Sequence, residues 1–442
     1  MIVLKFGGTS VSTAKNIKTI SEITHRIIKK KPVIVVSALS GTTDLLLSLF
    51  DGSNREQALQ QIKERHISLV KDLWNGEYPE ALNSYIDSCL QEVEEVIKMK
   101  KEPKEKNDII VSYGEKMSSY LISYALRSFG INAQQALATD FIVTNNDFGS
   151  ADFILHETVK KTKKVLLPLL DKGIVPIVTG FIGSTTDGRI TTLGRGGSDY
   201  SASIIGLALK VEEVQIWTDV DGVFTSDPRV IRQSYQIKKI SYREAAELAA
   251  FGAKVLHPRT IRPAQSAQIP VRVLNTMNPK NPGTLIEIAS PSKSRIVAVT
   301  AKKNITLVNI YSADMFLQKG FLSKVFAVFA EHNISVDLVS VSEVSVSVTL
   351  DNEDNLKKVT AALSKFTSVT TTSNVGIVSI IGEKIVGVRQ IMNRIFEVLD
   401  KKNIVPKMIS FGATDINISL VVGSLEVEKA VKSLHNSLLL KK

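Results

Sequence analysis

The chain opens with an apolar run, residues 2–6 (IVLKF), that stops at Gly7-Gly8-Thr9-Ser10. Ile17, Ile20, Ile23 and Ile27 follow at spacings of three and four, which predicts a helix with one apolar face. A second apolar run, residues 32–36 (PVIVV), again ends in small polar residues, 37–44. Strand, loop, helix, strand is the rhythm of an α/β fold around a buried parallel sheet. Runs at 174–179 and 214–218 predict further strands of that type. Residues 45–108 read mostly as helix. Within them the charged stretch 98–106 (KMKKEPKEK), interrupted by Pro103, reads as an exposed turn.

Residues 275–283 (NTMNPKNPG) and Pro291-Ser292-Lys293-Ser294 mark a domain boundary near 290. Beyond it lies a weak internal repeat. Residues 304–310 match 376–381, 327–334 (AVFAEHNI) match 397–404 (EVLDKKNI), and 344–350 (VSVSVTL) match 416–422 (INISLVV). Each unit reads strand, helix, strand, strand, helix. The first closes with a strand near 369–374; the second has none. A spare strand, 295–301 (RIVAVTA), precedes the first unit. We expect it to complete the second unit's sheet, which makes that module discontinuous.

A length of 442 residues fits two or three domains. With 44% hydrophobic and 22% charged residues, disorder is excluded. No apolar run is long enough for a bilayer, and the N-terminus lacks the basic and apolar regions of a secretory signal. Cys89 is the sole cysteine, so no internal disulfide forms and a reducing, cytoplasmic setting is expected. The net charge of +11 is dispersed, without a basic stripe carrying interleaved aromatics. That favours a solvated surface over nucleic-acid binding. An anionic small substrate such as a nucleotide needs only a few local cations.

Five segments carry candidate chemistry. In Lys5-Phe6-Gly7-Gly8-Thr9-Ser10, glycines after a buried strand can turn backbone N–H groups toward an anion, with Lys5 beside them. The lysine precedes the glycines, so this is not a P-loop, and a purely structural turn would read the same way. Gly194-Arg195-Gly196-Gly197-Ser198-Asp199 feeds a helix from Tyr200; Arg195 could grip a carboxylate with two hydrogen bonds. Asp199 alone could be a helix-start residue. Residues 217–224 (WTDVDGVF) and Ser226-Asp227-Pro228-Arg229 follow a strand end, where α/β folds bind ligands; turn chemistry also explains Asp221-Gly222 and Asp227-Pro228. In residues 251–258 (FGAKVLHP), Lys254 could be a surface lysine, and His257 beside Pro258 reads as a turn histidine. In Ser112-Tyr113-Gly114-Glu115-Lys116-Met117, Glu115 reads as starting a helical stretch, where the dipole suits a carboxylate.

Taken in order, KFGGTSV (5–11), SALSGTTDLL (37–46), YGEKMSS (113–119), TTLGRGGSDYSA (191–202), WTDVDGVFTSDPR (217–229) and FGAKVLHP (251–258) resemble the aspartate kinases of the amino-acid kinase superfamily. The C-terminal repeat resembles that family's paired ACT modules. The resemblance implies an α/β fold: an amino-acid kinase domain at 1–290, with a mainly parallel sheet sandwiched by helices, plus two βαββαβ ACT modules. These would be residues 304–374, and residues 295–301 with 376–442. It implies transfer of the γ-phosphoryl group of MgATP to the β-carboxylate of L-aspartate, giving 4-phospho-L-aspartate at the head of the aspartate-family pathway. A carboxylate nucleophile, with an ordinary pKa of about 4, is already ionised and needs no general base. Catalysis then consists of positioning and charge neutralisation.

Carried over by motif, Lys5, Gly7 and Gly8 stabilise the transferred phosphoryl group, and Asp199 orients the lysines or the substrate amine. Arg195 binds the α-carboxylate and Glu115 the α-ammonium, with Ser37, Thr43 and Ser198 lining the substrate site. Thr218, Asp219, Phe224, Arg229, Lys254 and Val255 contact ATP; the family often has Tyr where Phe224 stands. No protein ligand for magnesium is named, because the ion bridges nucleotide oxygens. Residues 315–337 with Ser342-Glu343-Val344-Ser345 resemble a lysine-sensing ACT module, which implies inhibition by L-lysine, with threonine as runner-up effector. Its candidate residues are Met315, Gly320, Phe321, Leu322, Val336, Asp337, Ser342 and Glu343. Asp337 and Glu343 are suited to an ε-ammonium, although both could be ordinary surface residues. A homodimer through the ACT modules, or a tetramer, is expected, without nucleic-acid or membrane partners. The competing readings are another amino-acid kinase, acting on acetylglutamate or glutamate, and a catalytically silent amino-acid sensor.

Overall fold

The strand Ile2–Phe6 is buried along its length except at Lys5, because β-branched and apolar side chains cover both faces. It pairs in parallel with Pro32–Val36 on one side and Glu213–Thr218 on the other. The computed structural model describes residues 1–442 apart from 51–53, 77–78, 253–255, 289–294, 317, 413–414 and 441–442. The described chain divides into two compact units. One comprises residues 1–223, 238–242 and 255–288; the other comprises 224–237, 243–254 and 289–442.

The first unit is built on an eight-stranded sheet. Its order is Ala133–Ala136, Val175–Thr179, Pro32–Val36, Ile2–Phe6, Glu213–Thr218, Val271–Asn275, Thr284–Glu287 and Lys239–Ser241. Only the pairing of Val271–Asn275 with Thr284–Glu287 is antiparallel. The chain leaves Ile2–Phe6 toward a neighbour on one side and later returns to the other. Its carboxyl end is therefore the kind of crevice where such sheets take ligands. Ile17, Ile20 and Ile23 of the helix Ala14–Ile27 are buried against this sheet, as their spacing predicts.

Two local expectations change. Of the charged stretch 98–106, only 99–102 lie outside helix, since Lys98 ends the helix Glu80–Lys98. Pro103 is the first residue of a 26-residue helix, Pro103–Ser128, capped by the Glu102 carboxylate, which accepts from the Glu105 N–H at 2.8 Å. Proline is at home at that position because its missing N–H would have had no partner there. The helix after the arginine-glycine turn begins at Gly197 rather than Tyr200.

The second unit carries a six-stranded antiparallel sheet. Its order is Val339–Val341, Ser345–Leu350, Ala298–Tyr311, Ser368–Ile381, Asn417–Gly423 and Met408–Phe411. Segments that read as separate strands in the sequence are fused here. Residues 295–301 and 304–310 fall largely within one 14-residue strand, and 369–374 and 376–381 within another. Asn304 and Asn374 look like breakers, but both adopt positive φ, and the ladder shifts register between Lys302 and Leu307 instead of ending. Ala298–Lys302 pairs with Ile377–Ile381, which in turn pairs with Asn417–Val421. Among the described residues three apolar clusters result, around Val308, Phe329 and Val348, around Ile380, Ile395 and Leu434, and around Leu307, Ile377 and Val421.

Residues 224–237 and 243–254 are structural parts of this second unit. Ile231 is buried in the core around Ile380. The Thr225 hydroxyl meets buried His435 Nε2 at 2.9 Å. Fully buried Glu244 pairs with Arg295 at 2.7 Å and accepts from the Glu383 N–H at 3.1 Å. Among the described residues, no helix is long and apolar enough to cross a membrane.

Candidate active site

Beyond Phe6 the chain turns at Gly7-Gly8 into a short helix, Gly8–Val11. The Gly7 N–H is taken by the carbonyl of Trp217 at 3.2 Å. Gly8 is thus the glycine that lines the adjoining cavity, of about 680 Å³. Lys5 also lines it, and its ammonium pairs with the Asp199 carboxylate at 2.6 Å. Asp199 lies in the first turn of Gly197–Leu209, a helix that starts from Gly196 with φ of +70°. A side chain there would be strained, and its Cβ would meet Thr260 at 2.8 Å.

Glu115 does not start a helix. It sits in the middle of Pro103–Ser128, so the dipole argument falls away. Position is set instead by Gly114, where a Cβ would lie only 2.8 Å from that of Ala38. The bare glycine lets the helix approach the 37–44 loop, and Glu115 Oε1 accepts the Ala38 N–H at 3.1 Å. Glu115 Oε2 has no partner, although the residue is only 3% exposed. Burial pushes its carboxyl up to about 8, against the pull of the Ala38 N–H and the charge of Lys5.

Ser37, Thr43, Arg195 and Ser198 line the same cavity as Lys5, Gly8 and Glu115. Arg195 is exposed. His257 is a turn residue whose Nδ1 accepts the Arg259 N–H at 3.3 Å. Burial, with Arg195 and Arg259 nearby, lowers its pKa.

The nucleotide-side candidates are more scattered. Thr218 donates to the Asp219 carboxylate at 3.0 Å at the end of Glu213–Thr218, and neither residue lines the cavity. Phe224 and Arg229 belong to the second unit, where Arg229 pairs with Asp227 at 2.8 Å and its side chain is 85% exposed. Lys254 and Val255 lie outside the described residues.

The cavity also includes Asn107, Val111, Gly149, Phe181 and Thr192, which sequence reasoning missed. Asn107 and Val111 precede Glu115 by eight and four residues on one helix face, so helical spacing could have found them. Thr192 lies in the motif 191–202, where no role was assigned to it, whereas Gly149 and Phe181 reach the wall through tertiary structure and carry no comparable signal.

In the second unit, Gly320 adopts φ of +82° ahead of the helix Phe321–Glu331, with open space where its Cβ would be. Phe321 packs inward, 5% exposed and edge-on to Phe366, while Leu322 is exposed. Met315 and Val336 pack against the core around Val308. The Ser342 hydroxyl is 2.7 Å from that of Ser345, and Glu343 is exposed. Asp337 is already engaged: Lys302 bonds both its oxygens at 2.9 Å and reaches Asp351 at 2.7 Å. Burial pushes the Asp337 carboxyl up against the opposing pull of Lys302.

Comparison with known proteins places these features in a lineage. Residues 1–275 match the model of the amino acid kinase family, and residues 308–366 and 378–438 match an ACT domain model. The chain is 38% identical to aspartokinase 1, chloroplastic, of Arabidopsis thaliana, over 98% of this chain and 79% of that one. It is 36% identical to lysine-sensitive aspartokinase 3 of Escherichia coli, over 99% of both. Its fold superimposes on E. coli aspartokinase III in complex with aspartate and ADP at a TM-score of 0.87, with 34% identity and 99% of both chains covered. The complex of that protein with lysine and aspartate matches at 0.84, with the same identity and coverage.

Proposed function

Since the chain belongs to the amino acid kinase family, in its aspartokinase branch, we propose the following account of its chemistry. It is an aspartate kinase: it moves the γ-phosphoryl group of ATP onto the β-carboxylate of L-aspartate and is of the lysine-sensitive type. The observation that carries this reading is the convergence of Lys5, Glu115 and Arg195 on one cavity. Arg195 receives the substrate α-carboxylate. The unpartnered Glu115 Oε2 receives the α-ammonium, which favours a free amino acid over an N-acetylated one. Lys5, held by Asp199, meets the phosphoryl oxygens. Gly8, where a Cβ would lie 2.9 Å from the Ala38 carbonyl oxygen, lets the turn pack against the 37–44 loop at the cavity wall. Magnesium enters as the counter-ion of the nucleotide.

The division we propose for the regulatory region is one ACT module at 304–374 and a second made of 295–301 with 376–442. Pairing of Ala298–Lys302 with Ile377–Ile381 supports it. Lysine acts through the first module, near Asp337 and Glu343. Exposed Val339 and Val341 on the sheet-end strand support a two-copy assembly through the same region. The buried, sole Cys89 agrees with a reducing, cytoplasmic setting.

Aspartate-dependent acyl phosphate trapped with hydroxylamine tests the reaction directly. Product must form with aspartate and ATP and diminish at millimolar lysine. No acyl phosphate with aspartate, or turnover of acetylglutamate instead, overturns the reading.

A further inference from the structure

Asp108 follows the cavity-lining Asn107 on the helix Pro103–Ser128 and is fully buried, yet it does not itself line the cavity. Its Oδ2 accepts the backbone N–H groups of Gly149 and of Thr192, each at 2.8 Å. Its Oδ1 accepts the Thr192 hydroxyl, also at 2.8 Å. Gly149 and Thr192 both line the cavity. Three residues after Thr192 comes Arg195. Between them Gly194 packs so closely on the 149–150 segment that a Cβ would lie 3.0 Å from Ser150 Oγ. One carboxylate thus joins a helix, a loop and the end of the strand Ile190–Thr192 that leads to Arg195.

Burying a carboxylate is unfavourable, and desolvation here raises its pKa despite three hydrogen bonds. An apolar residue would avoid that cost but would leave two N–H groups of the cavity wall unpaired. From the other side Arg259 holds the same loop, through the Ala151 carbonyl at 2.9 Å and the Asp152 carboxylate at 2.7 Å. Loss of Asp108 therefore loosens the wall at Thr192 without releasing the loop.

We propose that Asp108 is a positioning residue for substrate carboxylate recognition, fixing the Thr192–Arg195 segment so that the guanidinium meets the α-carboxylate. This inference rests on the role given above to Arg195.

Steady-state kinetics in each substrate, with variants Asp108→Ala, Asp108→Asn and Thr192→Val, test it. Asp108→Ala raises the aspartate KM by about tenfold or more, since small misplacements of a binding group are costly; the ATP KM stays within about twofold. Asp108→Asn recovers most of that loss. Its amide oxygen can accept both N–H groups, and its NH2 can donate to the Thr192 hydroxyl. Thr192→Val keeps both N–H bonds and has a smaller effect than Asp108→Ala. If Asp108→Ala does not fold, the double variant Asp108→Asn/Thr192→Val decides. It sets the NH2 against a methyl group and forfeits the recovery seen with Asp108→Asn alone. Equal rises in both KM values, or an aspartate KM within twofold of wild type in the folded variants, overturns the inference. Wild-type acyl-phosphate formation is measured alongside. Its absence would defeat the functional reading, whereas normal wild-type activity with unresponsive variants defeats only the role of Asp108.

Discussion

Two lysine–aspartate pairs, one in each unit, invite comparison. Lys5 meets one carboxylate, Asp199 at 2.6 Å, and both side chains are largely shielded, at 12% and 13% exposure. Lys302 meets two, Asp337 and Asp351, in a more open setting. The first cluster is balanced and has Arg195 on the same cavity, so an arriving anion finds favourable charge. The second has one lysine against two aspartates and keeps an excess negative charge, which suits an arriving cation. Under the roles proposed above, the same residue types serve opposite ligands, phosphate in one unit and an ammonium in the other. The count of carboxylates around each lysine makes the difference.

The sharpest way to break this contrast is to remove the cations of the first cluster. Lys5→Ala or Arg195→Ala should lower kcat/KM by about a thousandfold or more, since charge neutralisation is the main catalytic device. The melting transition should stay within a few degrees of wild type, and calorimetry should still detect lysine binding. Near-normal turnover by either variant would show that the cluster does not handle the phosphoryl group or the α-carboxylate.

A smaller effect comes from pH. Glu115 carries its proton up to about pH 8 and must lose it to pair with the substrate ammonium. Aspartate binding therefore releases a proton at neutral pH, and its KM should fall by up to about tenfold per pH unit below 8, then level off. Glu115→Gln should bind aspartate more weakly and flatten the profile. A wild-type KM independent of pH between 6 and 8 would show that Glu115 is already ionised.

The second cluster answers more gently. Lys302→Met leaves Asp337 and Asp351 without their internal cation, so added lysine meets less competition. The half-inhibitory lysine concentration should fall by about fivefold, the scale of a partly exposed ion pair. Turnover without lysine should change by less than about twofold. A rise in that concentration would mean that Lys302 supports the effector site instead of competing in it. Asp351→Asn, at the more exposed carboxylate, should raise the half-inhibitory concentration by only about twofold.

The two clusters were not equally legible in the sequence. Lys5 lies near the end of a buried strand just before a glycine turn, and Asp199 follows another glycine turn; such strands show as plain apolar runs. The match of residues 2–6 and 32–36 to observed strands follows from that. Lys302 lies in the Lys302-Lys303-Asn304 stretch, which resembles a break between strands and is in fact a bulge within one. Its pairing with Asp337 depends on which strands become neighbours, which no local pattern states. Glu115 was found by its motif but misplaced at a helix start, because Pro103 amid lysines resembles a turn until its place as the first helical residue is known. Asp108 carries no motif at all. Its importance lies in three hydrogen bonds from residues more than 40 positions away.

The chain passes between its two compact units five times, at 223, 237, 242, 254 and 288. A single genetic splice near 290 therefore cannot lift out the regulatory half intact. It would strand Ile231, Thr225 and Glu244 on one fragment and their burying partners, Ile380, His435 and Arg295, on the other. Chimeras that exchange effector response between relatives would have to carry residues 224–237 and 243–254 along with the C-terminal portion. Both inserts are short, and the second carries most of the helix Tyr242–Ala250.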